Sequence, residues 1–189
     1  MHTGIDLGLG CTALVTLDDK GTVLCKKHFG SKYNDPFKYA LKIPHPERLQ
    51  MYRDAVHKYF VDNKITGIVV IETPAGHIVG HERQLLELYG IYAVVAADFV
   101  KASDVYLLSP TEIKLAHTGD GAADKELMME VCKQRGFHVA HDHEGDATAM
   151  ALISLDGKMP GIFKHREELE AKKKARKKRK AANKKPLGG

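Results

Sequence analysis

The chemistry open to this chain rests on a few acidic and imidazole side chains set in apolar surroundings. Asp6 interrupts the apolar strand pattern Gly4-Ile5-Asp6-Leu7-Gly8. A carboxylate buried there is costly unless it is paired or bound to a cation. The plainer alternative is an aspartate turning the chain at a strand end. Glu72 closes the run Ile68-Val69-Val70-Ile71 and precedes Thr73-Pro74. It reads either as a ligand at a sheet edge or as an exposed strand end. The third feature is His141-Asp142-His143-Glu144-Gly145-Asp146, a polar group that opens a helix of small residues. His143 and Asp146 share a helix face, as do Asp142 and Asp146, while Glu144 points elsewhere. Asp142 and Glu144 are explained by the helix dipole alone; Asp146 is not.

Three oxygen-bearing positions from distant segments, with one histidine, make a suitable cage for Mg²⁺ or Mn²⁺. Two such ions about 3.5–4 Å apart activate a water and stabilise a leaving oxygen in phosphodiester hydrolysis. Other histidines carry weaker signals. His77 and His81 are spaced like a helical zinc pair, but no third ligand follows in context, so they read as surface or ligand-facing groups. In the set His138, His141 and His143, one metal ligand and two solvated neighbours suffice.

The elements that must position these residues follow from periodicity. Residues 3–29 read as three strands, with Gly8 and Gly10 marking a tight turn and Asp18-Asp19-Lys20-Gly21 a hairpin. Residues 30–46 read as a loop in which Tyr33, Phe37 and Tyr39 alternate with Lys32, Lys38 and Lys42. Residues 47–62 have helical spacing, and 68–71 suit a strand buried on both faces. Residues 76–100 are ambiguous, because Ile78, Leu85, Leu86 and Leu88 favour a helix whereas Ile91–Val95 alone suits a strand. Residues 105–108 form a short strand candidate, and Ser109-Pro110-Thr111-Glu112 is a helix start. Residues 123–135 and 144–155 read as helices, with Gly136 and Gly157 just past their ends. Ala147, Ala149 and Ala151 let the last of these lie close to a sheet. The order predicts an α/β fold: a central five-stranded mixed sheet flanked by helices.

Composition bounds the function. A chain of 189 residues suits one domain with a sizeable core, and 43% hydrophobic against 28% charged residues reads as globular. No apolar run is long enough for a membrane span, and MHTGIDLGLG lacks the pattern of a secretion signal. Cys11, Cys25 and Cys132 are scattered, which suits a reducing, cytoplasmic setting. The net charge of +5 is uneven. Residues 164–189 hold twelve Lys or Arg against three Glu, a net of +9, so the other 163 residues carry −4. The mildly acidic part needs metal ions or a local basic patch to approach a polyanion.

Four segments, in order, resemble the RuvC family of Holliday junction resolvases: Gly4–Gly10, Val70–Pro74, Ser109–Lys125 and His143–Ala151. The third, SPTEIKLAHTGDGAADK, is the most specific. The likeness spans residues 3–155 and is weaker over 30–65. It implies a ribonuclease H-like fold for a nuclease domain over residues 1–160, followed by a basic C-terminal tail over 161–189, flexible or helical on DNA. It implies Asp6, Glu72, His143 and Asp146 as catalytic metal ligands for two Mg²⁺ or Mn²⁺ ions. Lys114 and Lys125 match its phosphate-holding lysines. The stretch from Ile78 to Val100 is similar to its dimer helix, which favours helix for Ile91–Val95. The implied activity is paired, symmetric cutting of four-way DNA junctions by a homodimer, leaving 5′-phosphate and 3′-hydroxyl ends. The setting is the cytoplasm of a bacterium or of a phage-infected host, and the long basic tail is reminiscent of phage-type members.

The pattern also departs from the family. Ala75 stands where many cellular members carry an aromatic that enters the junction; Tyr33, Phe37, Tyr39 and His77 are candidate substitutes, or they order the loop by packing. Lys172, Lys173, Lys174 and Arg176 are expected to add sequence-independent phosphate contacts; a solubilising or targeting extension is the alternative. Other branched-DNA nucleases would share the site, and a non-catalytic DNA-binding protein would share the charge. Asp6, Gly8 and Thr12 also imitate a phosphate loop of actin-like ATPases, but the chain is too short for that two-domain fold and has no second loop.

Overall fold

Alternation along the strands decides which residues face which layer. The computed structural model describes residues 1–30, 44–74 and 82–182, apart from the side chains of Glu82 and 178–182. The chain forms two compact units, Met1–Asp156 and Gly157–Gly189. The first unit holds strands β1 (His2–Asp6), β2 (Thr12–Leu17), β3 (Val23–Phe29), β4 (Ile68–Glu72) and β5 (Val105–Leu108). They form one sheet in the order β3-β2-β1-β4-β5. β1 runs antiparallel to β2, and β2 to β3, whereas β1–β4 and β4–β5 are parallel. This is the expected five-stranded mixed sheet.

Helices α1 (His45–Asp62) and α2 (Glu82–Phe99) cover one face. There Ile5, Leu14, Val69 and Ile71 join Tyr52, Phe60, Leu88 and Tyr92 in the larger core. Each such side chain contributes about 1.5–3 kcal/mol by leaving water. Hydroxyls on that face find partners inside the core: Thr12 with Tyr92 at 3.0 Å, and Thr16 with Tyr59 at 2.9 Å. The Tyr52 hydroxyl donates to the Leu9 carbonyl at 2.6 Å, anchoring the turn after β1 to α1. α2 is helical through Ile91–Val95, because Tyr92, Val95 and Ala96 lie on its buried stripe with Leu88. Tertiary burial at helical spacing overrides the β-branched preference of that stretch.

On the other face, α5 (Asp142–Leu155) lies across β1 and β2, with α3 (Pro110–Thr118) and α4 (Lys125–Gln134) packed on it. Ala13, Val15 and Leu17 meet Ala147, Ala151 and Leu152 there. The helix start at Ser109 is a capping box: the Glu112 backbone N–H donates to Ser109 Oγ at 3.4 Å, and the Ser109 N–H donates to Glu112 Oε2 at 2.8 Å. Left-handed Gly119 ends α3 at φ 87°. The second unit is built on one helix, α6 (Met159–Ala182). Among the described residues no helix is long and apolar enough to cross a membrane.

Candidate active site

Asp6, Glu72, His143 and Asp146 are brought to one end of the sheet by strand parity and by the path of α5. The even-numbered residues of β1 face that helix. His2 Nδ1 bonds Ser154 Oγ at 2.7 Å at one end, and Asp6 Oδ2 meets His143 Nδ1 at 2.7 Å at the other. Helix α5 therefore runs antiparallel to β1, with its N-terminal turn over the last residue of the strand. Gly4 lies between these contacts. A Cβ on it would stand 2.0 Å from the Ala147 carbonyl oxygen and 2.9 Å from the Ala151 nitrogen. The close approach of helix to sheet needs a residue without a side chain.

β4 adds the second carboxylate. Ile5 pairs with Ile71 in parallel register, so Asp6 and Glu72 follow at adjacent strand ends. Val69 and Ile71 belong to the core under α1 and α2, which turns Glu72 to the α5 face with Asp6. Asp6 is only 5% exposed. Burial, then the neighbouring charge of Asp146, pushes its pKa up to about 8. Burial, then the charge of Asp6, pushes Glu72 up to about 9. The two carboxyls are close enough to share a hydrogen bond, so near neutral pH the pair holds a proton. Burial also raises Asp146, against the pull of Lys125, His143 and Lys114.

Lys114 and Lys125 lie near this end of the sheet. Lys125 opens α4 and pairs with Asp142 at the start of α5. That pairing raises the lysine and draws Asp142 down to about 2. Asp142 is thus an ion-pair partner as well as a first-turn acid. Lys114, on α3, is half-buried and within electrostatic reach of Asp146.

Glu144 departs from its expected role. It is 2% exposed and points to the edge strand β3, where Lys26 Nζ donates to Oε1 at 2.6 Å and His28 Nε2 stands 3.3 Å from Oε2. His141 caps α5 by accepting from the Glu144 N–H at 3.3 Å, and its ring packs edge-on against His28 with centroids 4.4 Å apart. His138 is exposed as expected, but His141 is not simply a solvated neighbour. Among the described residues, His28, His141 and Glu144 are the group of three whose ligand atoms all lie within 4.8 Å of one another. The quartet of Asp6, Glu72, His143 and Asp146 is not drawn that close. Lys26 and His28 escaped the sequence reading, although their spacing of two on β3 puts both on the α5 face.

In the second unit, Lys172, Lys173, Lys174 and Arg176 are exposed along α6, and Arg166 lies over the Phe163 ring at 5.3 Å. Tyr33, Phe37, Tyr39, Lys32, Lys38, Lys42, Ala75, His77, Ile78 and His81 lie outside the described residues.

Solved structures similar to this chain include two of RuvC. A Thermus thermophilus RuvC structure aligns with TM-score 0.63 and 22% identity, covering 84% of this chain and 95% of that one. T. thermophilus RuvC in complex with a Holliday junction substrate aligns with TM-score 0.62 and 21% identity, covering 83% and 94%. No protein-family model and no curated protein matches the chain by sequence. The structural likeness establishes the ribonuclease H-like α/β fold.

Proposed function

We propose that this protein is a divalent-metal-dependent endodeoxyribonuclease that resolves four-way DNA junctions by paired, symmetric cuts. One observation carries the reading: Asp6, buried, and Glu72, half-buried, end adjacent strands as a proton-sharing carboxylate pair beside His143 and Asp146. Two carboxyls held together at low exposure are destabilising by themselves, and a cation of high charge relieves that repulsion. Three carboxylates and one imidazole fit Mg²⁺ or Mn²⁺, with Asp6, Glu72, His143 and Asp146 as the holding residues. A pair of such ions, when bound, supplies Lewis acidity and an activated water for phosphodiester hydrolysis, which leaves 5′-phosphate and 3′-hydroxyl ends.

The chain's own groups do the rest. Asp6 and Glu72 give up their shared proton as the cations bind, so binding strengthens with rising pH. Lys114 and Lys125 hold phosphates beside the carboxylates, Lys125 exchanging Asp142 for the DNA backbone. Two symmetric cuts require two such sites, which favours a homodimer. Exposed apolar Leu86 and Val94 on α2, 50% and 65% accessible, support α2 as the contact. The solved relative that holds a junction substrate supports branched DNA as the substrate class.

The deciding experiment incubates purified protein and Mg²⁺ or Mn²⁺ with end-labelled four-way junctions, three-way junctions, forks and flaps of matched sequence. Symmetric nicks in the four-way junction are expected. Binding without cleavage of any substrate would leave a DNA-binding protein instead.

Two further outcomes follow. Deleting residues 170–189 is expected to weaken junction binding at least tenfold and to flatten the dependence of affinity on salt, because each lost phosphate contact removes about 0.9 from the slope on duplex DNA. Titrations at several salt concentrations check this; an unchanged slope means that the tail does not touch DNA. Exchanging His143 for aspartate is expected to shift activity from Mn²⁺ toward Mg²⁺, since an oxygen donor is harder than an imidazole. Rates of both proteins in each metal provide the comparison, and an unaltered ratio removes His143 from the ligand set.

A further inference from the structure

We propose that His28, His141 and Glu144 form a second metal site, of the zinc class, separate from the Asp6–Glu72 centre. The three come from different places: His28 from edge strand β3, His141 from the N-cap of α5, and Glu144 from that helix's first turn. Their ligand atoms lie within 4.8 Å of one another. Tetrahedral zinc with bonds of about 2.0–2.1 Å holds its donors roughly 3.3 Å apart. His28 Nε2 and Glu144 Oε2 already stand at 3.3 Å, so only the His141 ring must close in. Its ring is in edge contact with His28, and its bond from the Glu144 N–H is long at 3.3 Å.

The donor set selects the ion. Two imidazoles and one carboxylate suit Zn²⁺, with water as the fourth ligand, and suit Mg²⁺ poorly. Glu144 divides its oxygens: Oε1 takes Lys26 at 2.6 Å, which fixes the carboxylate plane, and Oε2, which also accepts from the Ala140 N–H at 3.4 Å, stands 3.3 Å from His28 Nε2. That lysine then serves as an outer partner that orients the ligand. The site ties the first turn of α5 to β3. The same turn carries His143, whose ring centroid is 6.2 Å from that of His141. With three protein ligands and an open fourth position, zinc here cross-links β3 to the helix turn that carries His143.

The test uses the full chain with Asp6→Asn and Asp146→Asn together, so that the first centre is disabled and nuclease activity plays no part in the readout. Co²⁺ is titrated for the visible bands of tetrahedral coordination, and Zn²⁺ is titrated by calorimetry and by thermal shift. One equivalent of metal, a rise in melting temperature with Zn²⁺, and loss of both on adding His28→Gln are expected. His141→Gln serves as a second variant should His28→Gln fail to fold by circular dichroism. Absence of a tetrahedral Co²⁺ spectrum, or binding that survives both histidine variants, overturns the proposal. Either result leaves the proposed nuclease reading to be judged on DNA cleavage alone.

Discussion

Replacing Asp6 by asparagine is expected to abolish metal-dependent junction cleavage and, in the same protein, to raise thermal stability in EDTA at pH 8.5. Under the proposed function Asp6 would hold a divalent cation beside the reacting phosphate, so loss of activity should reach about 10³-fold, equivalent to about 4 kcal/mol. The gain in stability has a separate cause. Asp6 is 5% exposed and titrates near 8 instead of its ordinary 3.8, and Glu72 titrates near 9 instead of 4.5. A carboxyl whose pKa is raised by folding binds protons more tightly in the folded chain than in the unfolded one. Its favourable contribution is complete below about pH 4 and is lost as the pH climbs through 8 to 9. The metal-free protein should therefore melt at progressively lower temperature from pH 5 to pH 9. Asparagine removes one of the two charges and should recover about 2 kcal/mol at pH 8.5. For a chain of this size that is about 5 °C. Divalent cations should act in the opposite sense, stabilising the native protein more at pH 8.5 than at pH 6. Melting curves with and without Mg²⁺ across this range test both signs. A native melting temperature independent of pH in EDTA would mean that the two carboxyls are not the protonated pair described above.

Gly4→Ala carries the second large effect, and it acts through packing. The new methyl would meet the Ala147 carbonyl oxygen at 2.0 Å and the Met150 Cβ at 2.9 Å. The neighbours are helix backbone and a short stem, so no flexible side chain can give way. Either α5 lifts from β1 or the strand shifts. Overpacking of this kind costs about 3 kcal/mol or more. Urea denaturation should show that loss, and much of the expressed protein should be insoluble. The soluble remainder is informative as well. A helix displaced by about 1 Å moves His143 and Asp146 away from Asp6 and Glu72, and cleavage should fall about 10²-fold at unchanged junction affinity. Native stability in Gly4→Ala would show that β1 and α5 tolerate a wider spacing than the structure holds.

How much of this was legible beforehand differs from residue to residue. Asp6 and Glu72 stood out because a charge in an apolar run needs a reason, and both end strands side by side, Asp6 buried and Glu72 half-buried. His143 and Asp146 stood out because a spacing of three makes one helix face, and that face does meet β1. Glu144 was misread. Local spacing showed that it points away from Asp146, but its partners Lys26 and His28 are more than a hundred residues distant. With no pairing partner in sight, a first-turn glutamate is explained well enough by the helix dipole. Residues Ile91–Val95 show the converse. Their β-branched content suggests a strand, and only packing against Tyr52, Phe60 and the sheet makes the helix the better way to bury them.

By itself, then, the amino-acid sequence determined most of the elements apart from the helix through Ile91–Val95, the sparse polar positions within them and the charge of the tail, since each of these is written at spacings of two to four residues. Tertiary structure decided the rest. Parallel pairing of β1 with β4 placed two carboxylates side by side, and the antiparallel run of α5 over Gly4 set His143 above Asp6. The edge strand β3 supplied Lys26 and His28 to Glu144. Such contacts depend on which strands become neighbours and how closely a helix can approach them. Both are settled by burial of the whole core, which no short window of sequence contains.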